Sequence, residues 1–188
     1  MRSRQTNKPD KYIVSECVKV LRDELPYNLH IFVNSVEFIA KVIDTLKLAP
    51  EAVKVVCSTS GESRQENQRK LGKDYPIGQP SDPAKKINFY TSTCFEGCDI
   101  FDPDGVTFIV SDGRKAHTLL DISTLFTQIC GRIRDSRYKA QIVHVYSTTK
   151  YSKAVTLDEF VAATQRTLAD AESYAAEINS LSEATRVK

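Results

Sequence analysis

The chain lacks most of what would place it in a membrane, a secretion route or a metal-binding class. No stretch approaches the roughly 18 apolar residues that a bilayer-spanning helix needs, so no membrane partner is expected. The opening Met1-Arg2-Ser3-Arg4-Gln5 is polar and has no apolar centre, unlike a secretory signal. Five cysteines, an odd count without a regular framework, argue against a disulfide-stapled scaffold and for a reduced, cytoplasmic protein. Cys94 and Cys98 have neither a second cysteine pair nor a suitable histidine partner, which removes zinc and favours small buried thiols. His30, His117 and His144 are scattered and read as structural. Internal repeats and low-complexity tracts are absent. So is a dominant charge: the net value is +2, and any basic surface must be local. The phosphate-cradling G-x-x-x-x-G-K-[ST] loop is missing as well, since Gly72-Lys73 stands without the rest of it.

What is present reads as strands alternating with helices. Residues 1–10 are polar and read as a flexible lead-in. Lys11 to Leu25 carries apolar residues at helical spacing and stops before Pro26. Short apolar runs predict strands at Leu29–Val33, Val53–Cys57, Ile87–Thr91, Val106–Ser111 and Gln141–Tyr146. Asn34-Ser35 is a turn and N-cap for a helix over Val36–Leu46. Glu62 to Lys73 predicts a polar surface helix, and Tyr75 to Pro83 a loop. Its basic residues Arg64, Arg69, Lys70 and Lys73 are interleaved with Glu62 and Glu66. With Lys85-Lys86 and Arg114-Lys115, they fit a solvated face as readily as a phosphate contact. Thr156-Leu157-Asp158-Glu159 is a capping box that opens a helix to about Leu181, with Phe160, Val161, Leu168, Ala171, Ala175 and Ile178 on one face. Asp158-Glu159 is no metal-holding D-E motif, because no strand precedes it. Continuous apolar strands separated by helices predict an α/β fold, a parallel β-sheet flanked by helices on both faces with an added C-terminal helix. The organisation expected is a lead-in and helix over 1–27, a main domain over 28–150, and a C-terminal helix over 151–188.

The stretch around which the rest is arranged is Gln128-Ile129-Cys130-Gly131-Arg132-Ile133-Arg134. Ile122, Leu125, Phe126, Ile129 and Ile133 predict an amphipathic helix running through it, with Gln128 and Arg132 together on another face. Gly131 would then lie inside the helix at a cost of up to about 1 kcal/mol, which close approach of a backbone or a phosphate would offset. Upstream, Thr91 to Ile100 leaves the third strand with hydroxyls and exposed N–H groups, suited to holding a phosphate at the carboxyl end of a sheet. Asp99 can accept from ribose hydroxyls or pair with an arginine.

Q-x-x-G-R at Gln128, Gly131 and Arg132 resembles motif VI of superfamily 2 helicases of the DEAD/DEAH type. T-x-x-x-G-x-D at Thr93, Gly97 and Asp99 resembles motif V, in the family's order along the chain. Leu29–Val33 with Asn34-Ser35 is similar to motif IV, and Ser58-Thr59-Ser60-Gly61 lies where the family has a backbone-contacting turn. The resemblance spans roughly Asn28 to Ser147, and origin-binding-protein helicases come closest. It implies a second RecA-like domain of an ATP-dependent helicase or translocase. Arg132 would be the arginine finger, with Gln128 and Arg134 beside it, and Gly97, Asp99 and Gly131 at the nucleotide. Asn34, Ser35, Ser58, Ser60, Gly61, Thr91 and Thr93 would lie on single-stranded or duplex nucleic acid. ATP with Mg²⁺ would be held mainly by an N-terminal RecA-like ATPase domain of the same parent chain, leaving this part inactive alone. Arg134 departs from the family pattern: two residues after Arg132, it would sit about 200° away on a regular helix. The alternative is an inert RecA-like adaptor that binds nucleic acid or protein.

Overall fold

The computed structural model describes residues 1–147 and 156–180. Residues 1–150 and 151–188 are two separate compact units. In the first, β1 (Arg2–Gln5), α1 (Pro9–Leu21), β2 (Asn28–Phe32), α2 (Val36–Leu46), β3 (Val53–Val56), α3 (Gly61–Leu71) and β4 (Ile87–Tyr90) follow in order. They are succeeded by β5 (Ile100–Phe101), β6 (Gly105–Ser111), α4 (Thr127–Cys130), β7 (Ile133–Arg134) and β8 (Ile142–Tyr146). Six strands form an all-parallel sheet in the order β1-β8-β6-β2-β4-β3, while β5 and β7 make a separate parallel ribbon. The architecture is the expected RecA-like α/β one, with a helix, α5 (Leu157–Ser180), in the second unit.

Alternation along each strand divides the core between two faces. Leu29, Ile31, Val53, Val55, Ile87, Phe89, Val106 and Phe108 pack with Ile13 and Cys17 of α1 and Ile39, Val42 and Ile43 of α2. The intervening residues Phe32, Val56, Tyr90 and Ile109 pack on the other side with Phe95, Ile100, Phe126, Ile129 and Ile133. Ser35 caps α2 as expected, its Oγ accepting from Phe38 N at 3.2 Å. The capping box of α5 also forms, with Thr156 N on Glu159 Oε2 at 2.8 Å and Glu159 N on Thr156 Oγ1 at 3.3 Å. Phe160, Val161 and Leu168 of that helix are exposed. The domain boundary at 150–151, the helix end at Leu181 and the side chains of Ile122, Ala175 and Ile178 lie outside the described residues.

Two expectations are overturned. Residues 2–5 are not a flexible lead-in: β1 pairs in parallel with β8, Arg2 opposite Val143 and Gln5 opposite Tyr146. Polar side chains concealed the strand because all four of its residues lie exposed on a sheet edge. The helix of the organising stretch also does not run through Gly131. It begins as a π-helical turn at Ile122–Phe126, continues as α4 and stops at Cys130. Gly131 N and Arg132 N close the end on Gln128 O (3.1 Å) and Ile129 O (3.0 Å), and the chain then turns into β7. Ile133 is buried all the same, because strand alternation points it into the core that helical spacing would have reached.

A polar network lies within this second face. His30 is fully buried, with Nε2 on Asp102 Oδ2 at 2.8 Å and Nδ1 on Tyr90 Oη at 3.1 Å. Asn28 Nδ2 donates to the same Asp102 oxygen at 3.0 Å. Burial pushes the His30 pKa below its usual 6.5, outweighing the pull of Asp102. For Asp102, burial acts upward, but donors from His30, Asn28 and the Asp104 amide more than offset it and hold the carboxyl below its ordinary value. A neutral His30 therefore donates from Nε2 and accepts the tyrosine hydroxyl at Nδ1. Gly105 is required beside it, since a Cβ there would come within 3.0 Å of the imidazole and 2.9 Å of Ile133 Cγ2.

A histidine kept neutral in the fold takes up its proton on unfolding, so stability must decline as pH falls through 6.5. The urea midpoint is expected to drop between about pH 7.5 and pH 5.5, and His30→Gln to flatten part of that slope. The half-buried His144, also lowered by burial, contributes the remainder with the same sign. An identical slope in His30→Gln would refute the neutral, buried assignment.

Candidate nucleotide and nucleic-acid surface

Because the helix ends at Gly131, Arg132 and Arg134 flank an inward-facing Ile133 in extended chain and share its opposite side. The 200° separation expected on a helix does not arise. Arg132 Nη1 donates to Cys98 O at 2.9 Å and its Nε to Gln128 O at 3.0 Å. One guanidinium thus caps α4 and ties it to the turn before β5. Its remaining donors have no protein partner among the described residues. Arg134 Nε meets Asp99 Oδ1 at 2.9 Å, both groups about half exposed (48% and 49%). Backbone pairing continues the link, with Ile100 N on Arg132 O at 2.9 Å and Ile100 opposite Ile133.

Gly97 has φ +69° with open space where a Cβ would point. Its left-handed backbone is what requires glycine there. Gly131 has φ −99° and ψ 3°, and a Cβ on it would meet only Gln128 O, at 3.7 Å. The expected close approach of a protein backbone to Gly131 is therefore absent among the described residues. Gln128 is exposed.

The other candidate residues gather at the carboxyl ends of β2, β3 and β4. Thr91 is buried and meets Thr93 Oγ1 through its own hydroxyl at 3.2 Å, while Ser92 and Thr93 are exposed on the short turn Ser92–Cys94. Asn34 binds that turn, accepting from Ser92 N at 3.3 Å, and donates to His117 O at 2.8 Å beyond β6. Ser58 and Ser60 share a 2.9 Å hydroxyl contact, and Gly61 (φ +48°) opens α3 beside them. Ser35 is buried and engaged in capping. Further along the rim, Asp112 accepts from Arg114 Nε and Nη2 (2.9 and 3.0 Å) and from Ser147 Oγ at 2.8 Å. The Arg114 guanidinium, aided by Ser147, holds the Asp112 carboxyl at about 2.

These residues thus make two groups, not one line beyond the strand ends. The hydroxyl group occupies the carboxyl rim. The segment after Thr93 passes through the second core at Phe95, and the Gly97 turn leads into the β5–β7 ribbon, where Asp99, Arg132 and Arg134 lie. Among the described residues no three His, Cys, Asp or Glu side chains converge as a metal site, and no helix is long and apolar enough to cross a membrane. No family model matches the chain, and no curated protein matches it in sequence.

The two glycines separate experimentally. Gly97→Ala should lower unfolding free energy by about 1–2 kcal/mol through its left-handed backbone. Gly131→Ala should change it by no more than about 0.5 kcal/mol. Urea unfolding of both variants checks this, and equal losses would contradict the geometry described.

Proposed function

We propose that this chain is the second RecA-like domain of an ATP-dependent superfamily 2 helicase or translocase acting in the cytoplasm. The observation that carries the reading is the side-by-side position of Arg132, Arg134, Asp99 and the Gly97 turn on one ribbon, with a separate row of hydroxyls on the sheet rim. Motif order along the sequence supports the same reading, as do five unpaired cysteines for a reducing compartment.

On this reading Arg132 supplies positive charge to a triphosphate bound by the preceding ATPase domain, which also holds Mg²⁺. Its position is set before any nucleotide arrives, because two carbonyls already fix the guanidinium. Asp99 presents a carboxylate to ribose hydroxyls once Arg134 lets go. That release is easy, since an ion pair between two half-exposed groups contributes only about 0–1 kcal/mol. Ser92, Thr93, Ser60 and the turn at Gly61 offer hydroxyls and N–H groups to a phosphodiester backbone, a contact that carries little sequence information. The chain lacks a phosphate-cradling loop, so catalysis requires two domains closing on one another.

Within the longer protein, Arg132→Ala should reduce ATP turnover roughly 10³–10⁵-fold while ATP binding persists. Single-strand affinity of the same protein should fall steeply with added salt and depend little on sequence. Steady-state turnover, nucleotide titration and binding at two salt concentrations test both. Unimpaired turnover in Arg132→Ala would remove the finger.

A further inference from the structure

All five cysteines are free thiols, but two of them stand together. Cys94 ends the short turn after β4, its N bonded to Thr91 O at 3.0 Å and its side chain fully buried in the second core. Four residues on, Cys98 brings its side chain back to the same place, Sγ donating to Cys94 O at 3.3 Å. Burial first, and then the adjoining Cys98 thiol, pushes the Cys94 thiol above its ordinary range. Cys98 packs against the same core but is partly exposed. Of the other three, Cys17 and Cys57 pack in the first core and Cys130 ends α4. One reachable sulfur with a shielded second sulfur beside it is the arrangement of an attacking thiol and a resolving thiol.

We propose that Cys94 and Cys98 are a modification site, closed to a disulfide by hydrogen peroxide and reopened by a dithiol. The Cys98 thiolate attacks the peroxide and the O–O bond breaks. One oxygen stays on sulfur as a sulfenic acid, and the other leaves as hydroxide, which takes up the thiol's proton to become water. The Cys94 sulfur then attacks Cys98 Sγ, and the S–O bond breaks as a second water leaves with the Cys94 proton. Two thiols and one peroxide thus give one disulfide and two waters, with two electrons passed from sulfur to oxygen. Closure turns Cys98 Sγ from the Cys94 carbonyl to the Cys94 sulfur. The core holds Cys94, so the movement falls on Cys98, beside Gly97 with its left-handed backbone and open surroundings. Cys98 O is one of the two carbonyls that fix Arg132, and the disulfide therefore slackens that guanidinium. The effect on turnover rests on the helicase reading; the bond itself does not.

Trypsin cuts after Lys86 and Arg114 and nowhere between, so peptide 87–114 carries these two cysteines alone. The 188-residue chain, treated with peroxide and then alkylated unfolded, should yield that peptide unalkylated and lighter by two hydrogens. Dithiothreitol should restore both alkylation sites. Dimedone should trap a sulfenic acid on Cys98 in Cys94→Ala, and none on Cys94 in Cys98→Ala. Full alkylation of the peptide after peroxide, or a bond from either residue to Cys57 or Cys130, would overturn the pair. In the longer protein, peroxide should lower ATP turnover about tenfold or more, reversibly, through the displaced Arg132. The rate of Cys94→Ala should stay as it was before peroxide. A bridged peptide with undiminished turnover would overturn the hold on Arg132. Should Arg132→Ala itself keep its turnover, the finger reading falls and the peptide masses alone decide the disulfide.

Discussion

The pairing of Ile100–Phe101 with Ile133–Arg134 is the contact on which the candidate site depends. Four residues in two short strands bring together segments more than thirty positions apart. Backbone pairing fixes their register, and Ile100 and Ile133 anchor the ribbon in the core. Everything that faces outward, Asp99, Phe101, Arg132 and Arg134, takes its place from that anchoring. Had α4 continued one more turn, Arg132 and Arg134 would have diverged around its axis. Termination at Gly131, reinforced by Arg132 on Gln128 O, is what sets both arginines on one side.

Beneath the ribbon lies the His30, Asp102, Asn28 and Tyr90 network. It satisfies polar groups that would otherwise be buried at a penalty of about 1–3 kcal/mol each. Asp102 directly follows β5, so its bonds to His30 and Asn28 join the ribbon's exit to β2 in the central sheet. Ser136, just after β7, is fixed in parallel, its Oγ donating to Gly105 O at 2.6 Å. The site's outer groups thus stand on a support that is polar, buried and fully paired, which favours one geometry over several.

The sheet was readable because its strands are compact apolar runs, and Val36–Leu46 was readable to the residue because Ser35 and the apolar spacing agree. The elements that escaped have physical reasons. Arg2–Gln5 is an exposed edge strand with no inward face to leave an apolar mark. Ile100–Phe101 and Ile133–Arg134 are too short for any periodicity. Ile133 fitted the helical stripe and the strand alternation equally well, so the pattern could not announce the break at Gly131. His30 could be recognised as structural, but its partner Asp102 is 72 positions away and invisible to local reading. Lys54 was hidden in the same way: a lysine within a β-branched strand, buried, with its ammonium on the carbonyls of Pro80 and Asp82 (3.2 and 2.6 Å).

The separation of the two residue groups constrains how a motor built on this domain would work. Asn34 ties the turn after β4 to the turn after β6, and the chain from Thr93 runs without a break through Phe95, buried in the second core, to Gly97 and the ribbon. On the proposed reading, a shift imposed on Asp99 or Arg132 would reach Thr93 through this packed chain, because a dense core passes on strain. The Arg134–Asp99 pair is the loosest link in that path, half exposed and easily exchanged for another partner. Exchange there, with the Arg132 carbonyl tethers intact, would let the nucleotide side change state while the ribbon keeps its register. On the proposed reading, that is how occupancy of the ribbon becomes a changed grip on the rim without unfolding anything between them.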